Sequence, residues 1–111
     1  MSETTNVDPS VIHLDTNAVK VGIENGSMLI IDVREPHEFA AGHIPGSLSM
    51  PLSTFDPRDI PGDTGKCLVF SCAAGVRSLK ALEIAQSAGV DLHEHYIGGF
   101  KGWHASGGAV E

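Results

Sequence analysis

The sequence predicts an α/β domain built on a parallel sheet, and two observations support this. Strand-sized apolar segments at residues 28–33 and 66–71 alternate with segments of helical pattern, which is typical of α/β domains. The first of these segments is apolar at consecutive positions and not at alternate ones. Strands buried on both faces read this way, as they do in parallel sheets.

Length and charge limit the kinds of protein this can be. The chain has 111 residues, enough for one domain with one core of ordinary size. Seven Lys and Arg against fourteen Asp and Glu give a net charge of −7, which is the wrong sign for nucleic acid or an anionic membrane surface. The apolar runs are far too short to span a membrane, and residues 1–9 contain no apolar signal region. We therefore expect a cytoplasmic protein with no nucleic-acid or membrane partner. We also expect a monomer or a weak dimer.

The elements of the first half follow from caps and breakers. We expect residues 1–10 to be a flexible tail and residues 11–111 to be the domain. Capping residues at 15–17 precede a predicted helix over 18–24, which Asn25 and Gly26 end. Pro36 suits the first turn of a helix over 37–41, ended by Gly42.

The second half is read in the same way. A short strand over 47–50 stops at Pro51, and the turn-rich residues 56–65 form a surface connection. A helix is predicted to begin near Ser78 and to end at Gly89. A strand over 93–97 and a small helix over 100–105 follow. The expected buried stripe of the longer helix consists of Leu79, Leu82, Ile84, Ala85 and Ala88.

The segment that links the strand over 66–71 to the next helix is the strongest functional signal. Cys72 opens it and Arg77 closes it, a stretch of six residues that we call the Cys72 loop. A strand-to-helix turn points backbone N–H groups at its own centre, next to the positive end of the helix. Such a setting, with an Arg nearby, lowers the pKa of a cysteine, and the thiolate is the nucleophile. The sequence therefore indicates sulfur chemistry at Cys72.

The alternative for each cysteine is a role in packing, since a free Cys is often a small buried hydrophobe. We assign that role to Cys67, which starts the strand and is followed by apolar residues. Five extended residues place the two cysteines about 16 Å apart, and a disulfide needs Cα atoms within about 7 Å. We therefore expect two free thiols, which suit a reducing compartment.

Four motifs together resemble a single-domain rhodanese. They are residues 31–39 (IDVREPHEF), residues 42–47 (GHIPGS), residues 72–78 (CAAGVRS), and Gly98-Gly99-Phe100 with Trp103. The resemblance covers most of the chain, in the order and spacing of the family. It implies a three-layer fold with a mostly parallel five-stranded sheet and helices on both faces. It also implies a sulfurtransferase that works through a cysteine persulfide.

In that chemistry the Cys72 thiolate takes a sulfur from a small donor such as thiosulfate or a persulfide. A thiol, cyanide or a protein thiol then accepts it. Neither a metal nor an organic cofactor is needed. Arg77 either clamps an anionic donor or braces the loop through carbonyls and a carboxylate, and both roles stay open. The backbone N–H groups that would hold the sulfur belong to Ala73, Ala74, Gly75, Val76, Arg77 and Ser78.

Other polar residues receive structural interpretations. We interpret Asp32 and Arg34 as an ion pair at a strand end that orients the Cys72 loop without contacting the sulfur. His43 is assigned to packing and hydrogen bonding, and Trp103 to the core or to the mouth of a pocket. His93 and His95 share a strand face, as two metal ligands would with His104 as a third, but we favour solvated strand histidines.

Two other functions stay open. Phosphatases and arsenate reductases share this fold but have a catalytic loop one residue longer, whereas the Cys72 loop has the shorter length. The second alternative is a sulfur-carrier or sensing module without turnover, which the presence of Cys72 disfavours. The apolar side chains of Ala73, Ala74 and Val76 add no charge to the loop, which argues against high affinity for thiosulfate.

Overall fold

A computed structural model of the chain describes residues 11–111, so the predicted tail over residues 1–10 lies outside the described residues. Five strands form one sheet in the order β1-β5-β4-β2-β3, and every neighbouring pair is parallel. The predicted α/β class and parallel five-stranded sheet are confirmed. The strands are β1 (Ile12–Leu14), β2 (Met28–Asp32), β3 (Leu48–Ser49), β4 (Cys67–Ser71) and β5 (Glu94–Tyr96).

The described residues form four α-helices, of which three connect strands and the last follows β5. The predicted caps are confirmed where the structure tests them. The Asp15 carboxylate accepts a hydrogen bond from the N–H of Ala18 at the start of the first helix. Within residues 11–111, none of the helices combines the length and the apolar character that crossing a membrane requires. The helices are α1 (Thr16–Glu24), α2 (Pro36–Ala41), α3 (Arg77–Ser87) and α4 (Gly99–Ala105), with short 3-10 turns at Leu52–Thr54 and Pro57–Asp59.

Two clusters of buried side chains lie on opposite faces of the sheet. Ile30 of β2 belongs to the cluster that contains Val19 and Trp103, whereas the adjacent Ile31 belongs to the cluster that contains Leu82. Successive residues of a strand point to opposite faces, so α1 and α4 cover one face and α3 covers the other. The three-layer arrangement is confirmed, and Trp103 is a core residue.

Two details of the fold differ from the sequence pattern. Strand β1 was not predicted from its own residues, because it is three residues long and exposed at the edge of the sheet, beside β5. The predicted stripe of α3 is wrong at Leu79, which is 41% exposed, and at the exposed Ala88. Ser78 instead faces the sheet, and one residue further along a helix is a rotation of about 100°, which carries Leu79 outward. The buried residues of α3 are Ser78, Ala81, Leu82 and Ala85.

The carboxyl ends of β2 and β4 lie side by side. The N–H of Val33 donates to the carbonyl of Ser71 at 2.8 Å, just beyond the paired residues of the two strands. Segments that follow parallel strands emerge at the same edge of a sheet, where α/β proteins bind their ligands. Arg34 and Cys72 therefore lie at one edge, as predicted.

Candidate active site

Cys72 lies at the centre of a tight turn between β4 and α3. Its side chain belongs to the core cluster and the residue is 1% exposed. The N–H of Gly75 points back at the sulfur, with a nitrogen–sulfur distance of 3.1 Å. Gly75 has φ +87°, and a Cβ there would lie 2.5 Å from the carbonyl oxygen of Ile97. Glycine thus allows the backbone to fold tightly around the sulfur.

The surroundings of Cys72 favour its thiolate. Burial alone would raise the pKa of the thiol, but the Ser78 hydroxyl and the N–H groups of Ser78, Ala74 and Gly75 hold that pKa below its usual value. The Ser78 oxygen lies 3.6 Å from the sulfur. The loop thus stabilises a negative sulfur largely through hydrogen bonds from its backbone.

The carbonyl groups of the Cys72 loop are held by the start of α4. The N–H of Phe100 donates to the carbonyl of Cys72 at 2.7 Å, and the N–H of Lys101 donates to that of Ala73 at 3.0 Å. Gly99 allows this approach, because it has φ +61° and a Cβ there would lie 2.5 Å from the Cys72 oxygen. Its role in holding the loop was missed by sequence reasoning, although the Gly98-Gly99 pair was noted as part of a motif.

Arg77 is anchored to a carboxylate on α2. Its two terminal nitrogens lie 2.7 and 3.0 Å from the two oxygens of Glu38. The hydrogen bond from Arg77 is the largest influence on Glu38 and, despite partial desolvation, its pKa is lowered to about 2. Glu38 was also missed, although its spacing from Glu35 is that of a capping box. The structure therefore supplies the carboxylate that the bracing role of Arg77 requires.

The other side chains of the loop present little polarity. Val76 is 77% exposed, and Ala74 is exposed as well. Ala73 is half-buried and contributes its carbonyl to the contact with α4. Of the residues predicted to hold the sulfur, Ala74, Gly75 and Ser78 direct their backbone N–H groups at it.

The predicted ion pair of Asp32 and Arg34 is present and buried. The guanidinium donates three hydrogen bonds of 2.8 to 3.1 Å to the carboxylate. It also donates to the carbonyl of Gly42 at 2.8 Å and lies 4.3 Å from the ring centroid of Phe100. Through these two contacts Arg34 links the end of α2 to α4. Phe100 also donates its N–H to the carbonyl of Cys72. The ion pair therefore supports the loop indirectly, through Phe100.

The interpretation of His95 as a solvated strand residue is wrong. The residue is 1% exposed, and its ring bonds Ser78 at 3.1 Å and His13 at 2.7 Å. His95 is buried because β1 lies beside β5 in the sheet, so that β5 is not an edge strand. His93 instead approaches Asp91 at 2.7 Å near the surface, and His104 is exposed. Within the described part of the chain, residues 11–111, no group of three or more His, Cys, Asp or Glu residues is placed to hold a metal ion.

Two further predictions concern His43 and Cys67. His43 stacks on Phe39, with ring centroids 3.8 Å apart, and bonds its carbonyl at 2.9 Å, so its structural role is confirmed. Both cysteines are free thiols, as predicted, but Cys67 is exposed and the packing role assigned to it is wrong. It opens β4, where its side chain lies outside the core. Partial desolvation and the nearby Glu94 raise the pKa of the Cys67 thiol, opposite to the shift at Cys72.

Comparison with known proteins adds a family. The family model described as a rhodanese-like domain matches residues 15–106. A mouse protein named thiosulfate sulfurtransferase/rhodanese-like domain-containing protein 3 is 38% identical over 96 residues, which cover 73% of this chain and 60% of that protein. A yeast thiosulfate:glutathione sulfurtransferase is 34% identical over 101 residues, 79% of this chain and 73% of its own length.

A solved structure from Rhodopseudomonas palustris, described as a protein of unknown function and possible tyrosine phosphatase, is similar as well. It superposes with a TM-score of 0.77 at 31% identity, over 92% of this chain and 86% of its own. The chain spans less than two thirds of some curated relatives that it matches, 60% of the mouse protein and 47% of a Synechocystis protein.

Proposed function

The chain belongs to the rhodanese-like domain family, and we propose that it is a sulfurtransferase that carries sulfur as a persulfide on Cys72. The observation that supports this most directly is the position of the Cys72 sulfur, 3.1 Å from the N–H of Gly75 in a loop that lowers the pKa of the thiol. A loop that favours the thiolate over the thiol lets the cysteine attack a sulfur donor without a separate base.

The first half-reaction loads the cysteine. The thiolate attacks the outer sulfur of thiosulfate, a sulfur–sulfur bond forms to Cys72, and the sulfur–sulfur bond of the donor breaks. Sulfite leaves with the bonding electron pair. With a low-molecular-weight persulfide as donor, the leaving group is the corresponding thiolate. In both cases the terminal sulfur on Cys72 carries the negative charge, which the loop N–H groups are placed to stabilise.

The second half-reaction removes the sulfur from Cys72. A thiolate or cyanide attacks the terminal sulfur and takes it, and the electron pair of the broken bond returns to Cys72 as a thiolate. The acceptor leaves as a persulfide or as thiocyanate. The cycle needs no net oxidation, which is consistent with a site that uses no metal or organic cofactor. It does need Cys72 as a free thiol, so we place the protein in a reducing compartment such as the cytoplasm.

The charge around the loop favours a donor with little negative charge. The side chains of Ala73, Ala74 and Val76 carry no charge, and the guanidinium of Arg77 is already paired with Glu38. A thiosulfate dianion would therefore rely on backbone N–H groups, whereas the reacting group of a persulfide brings at most one negative charge into the loop. We propose that both load Cys72 and that the persulfide does so faster.

The phosphatase alternative is weaker on the same geometry. A tetrahedral phosphate needs a wider ring of N–H groups than one sulfur, and the loop from Cys72 to Arg77 has only six residues and brings the N–H of Gly75 to 3.1 Å from the thiol. A sensing or carrier module would also use a thiol with a lowered pKa, so only turnover distinguishes it from an enzyme. Each alternative predicts little or no catalysed sulfur transfer, whereas the proposed function predicts turnover, so an assay of sulfur transfer separates them.

That assay measures thiocyanate formed from cyanide with thiosulfate or glutathione persulfide as donor. The native protein should turn over both donors, Cys72→Ser should be inactive, and Cys67→Ser should retain most activity. Cys67 is the matched control, because it is the only other thiol of the chain. Hydrolysis of an aryl phosphate that outpaces sulfur transfer would replace the proposal with the phosphatase function, and inactivity toward every donor would favour the sensing module.

A further inference from the structure

A chain of hydrogen bonds leads from the buried sulfur to the surface. The Ser78 oxygen lies 3.6 Å from the Cys72 sulfur and 3.1 Å from Nδ1 of His95. On the other side of the His95 ring, Nε2 lies 2.7 Å from Nδ1 of His13. His95 is buried, whereas His13 is exposed on the edge strand. Four side chains from the β4 terminus, α3, β5 and β1 thus form one continuous path.

The sheet explains why these groups meet. His13 and His95 are register partners in β1 and β5, and His95 is the register partner of Phe70 in β4. Partners in a parallel sheet point to the same face, as do residues two apart in one strand. His95 therefore faces His13 on one side, Phe70 on the other and Ser78 of α3 above, with Cys72 two residues beyond Phe70. Among these neighbours the ionisable side chains are His13 and Cys72.

We infer that Ser78, His95 and His13 form a proton relay for Cys72, in which Ser78 and His95 pass the proton and His13 exchanges it with solvent. The inference deepens the proposed role of Cys72 as a nucleophile. It assigns two histidines that the sulfur chemistry itself does not use.

The direction of the hydrogen bonds decides the state of the sulfur. The Ser78 hydroxyl has one proton. It can donate that proton to a thiolate only if Nδ1 of His95 carries a proton and donates to the Ser78 oxygen. Nε2 of His95 must then accept, and the donor is Nδ1–H of His13. Burial lowers the pKa of His95, as does its neighbour His13. Both effects favour the neutral ring, which has one ring proton to place.

The opposite direction belongs to the protonated sulfur. A Cys72 thiol donates to the Ser78 oxygen, the hydroxyl donates to Nδ1 of His95, and Nε2–H of His95 donates to His13. Ionisation moves one proton along each link, from sulfur to Ser78, from Ser78 to His95 and from His95 to Nδ1 of His13. The resulting His13 imidazolium releases its Nε2 proton to water. One S–H bond breaks, one proton reaches solvent, and Ser78 and His95 end with the protons of the thiolate-stabilising arrangement.

The test measures the ionisation of Cys72 without any sulfur donor, so its failure is distinguishable from failure of the sulfurtransferase proposal. In a Cys67→Ser background, the ultraviolet absorbance of the Cys72 thiolate is followed against pH, with the variant lacking both thiols as baseline. His13→Phe keeps an aromatic ring next to His95 but removes the donor, and it changes an exposed residue of the edge strand. We expect the midpoint of thiolate formation to rise by about one pH unit, the effect of losing a hydrogen bond that favours the charged form.

Two substitutions of Ser78 test the link between the sulfur and His95. Ser78→Ala should raise the midpoint at least as far, and Ser78→Thr, which restores a hydroxyl, should return it to the native value. His93→Gln is the matched control, since it removes a histidine close to the same strand but outside the relay. A midpoint for His13→Phe equal to that of His93→Gln would overturn the relay.

The protonation states of the rings give a second, independent measurement. Nitrogen-15 NMR of the same background, at a pH where the thiolate is formed, should show neutral His95 with its proton on Nδ1. In a purely structural pair, the tautomer of His95 would not depend on the sulfur. A His95 proton on Nε2 with the thiolate present would overturn the inference, even if the His13 variant had failed to fold.

Discussion

Arg77 at the start of α3 and Glu38 on α2 form a bidentate ion pair, with nitrogen–oxygen distances of 2.7 and 3.0 Å. The pair joins the end of the Cys72 loop to a helix that follows the neighbouring strand. The guanidinium thus lies beside the sulfur site, but both of its terminal nitrogens are bound to the protein. This arrangement separates the two roles that were open for Arg77.

Glu38→Gln distinguishes bracing from substrate binding, because it leaves the Arg77 charge in place. If Arg77 braces the loop, Glu38→Gln and Arg77→Lys should slow loading and unloading alike and should lower stability by about 1 kcal/mol. Single-turnover kinetics of each half-reaction and a melting curve measure this. If Arg77 instead clamps the donor, Glu38→Gln would free the guanidinium and speed loading from thiosulfate.

The same pair predicts a dependence of stability on acid. The Glu38 pKa is lowered from 4.5 to about 2 in the folded protein, chiefly by its hydrogen bond to Arg77. A carboxyl group with a lowered pKa stabilises the fold in full above its unfolded value, and the contribution is lost as the pH falls through the folded value. The difference in melting temperature between the native protein and Glu38→Gln should therefore shrink between about pH 4.5 and 2. A difference that stays constant over that range would contradict the prediction.

The buried pair of Asp32 and Arg34 should matter far more for stability than its exposed counterpart. Asp56 and Arg58 have the same spacing and nearly the same distances, but the Arg58 side chain is 89% exposed. Removal of one partner leaves a buried charge uncompensated in the first pair only, so Asp32→Ala should cost about 3 kcal/mol. Asp56→Ala should have a much smaller effect. Urea unfolding compares the two, and equal losses would show that burial of the pair carries no penalty.

Gly99 should be essential to the loop for a reason that sequence does not display. Gly99 and Gly46 have similar conformations, φ +61° and +77°, but a Cβ on Gly46 meets nothing within 4 Å. Both alanine variants incur the cost of a left-handed backbone, about 1 kcal/mol. Only Gly99→Ala also forces a Cβ against the carbonyl groups of Cys72 and Ala73. We expect Gly99→Ala to lose most sulfur transfer and Gly46→Ala to keep it, as thiocyanate formation will show.

The length of the Cys72 loop makes a prediction about reaction type. One residue inserted between Ala73 and Arg77 should widen the ring of N–H groups, reduce sulfur transfer and admit weak hydrolysis of an aryl phosphate. Both rates are measured on the same preparation, with the native protein as control. Aryl phosphate turnover by the native protein that exceeds its sulfur transfer would show that loop length does not select the reaction.

Sequence reasoning located the fold and the loop because both depend on local patterns. Apolar runs, caps and glycines predicted the order of the elements after β1, the family resemblance supplied the five-stranded sheet, and a cysteine between a strand and a helix predicted the site. Glu38, His13 and the role of Gly99 were missed, because their importance arises from contacts across long sequence separations. His95 shows the limit most clearly. Its burial depends on β1, a strand of three residues at the sheet edge whose own pattern is too short to predict.

The proposed persulfide is tested most directly by intact mass measurement of the protein after incubation with glutathione persulfide or thiosulfate. The native protein and Cys67→Ser should each gain the mass of one sulfur atom, and cyanide should remove it with formation of thiocyanate. Cys72→Ser, incubated in parallel, should gain nothing. A sulfur that loads onto Cys72→Ser but not onto Cys67→Ser would contradict the assignment of Cys72 as the sulfur carrier.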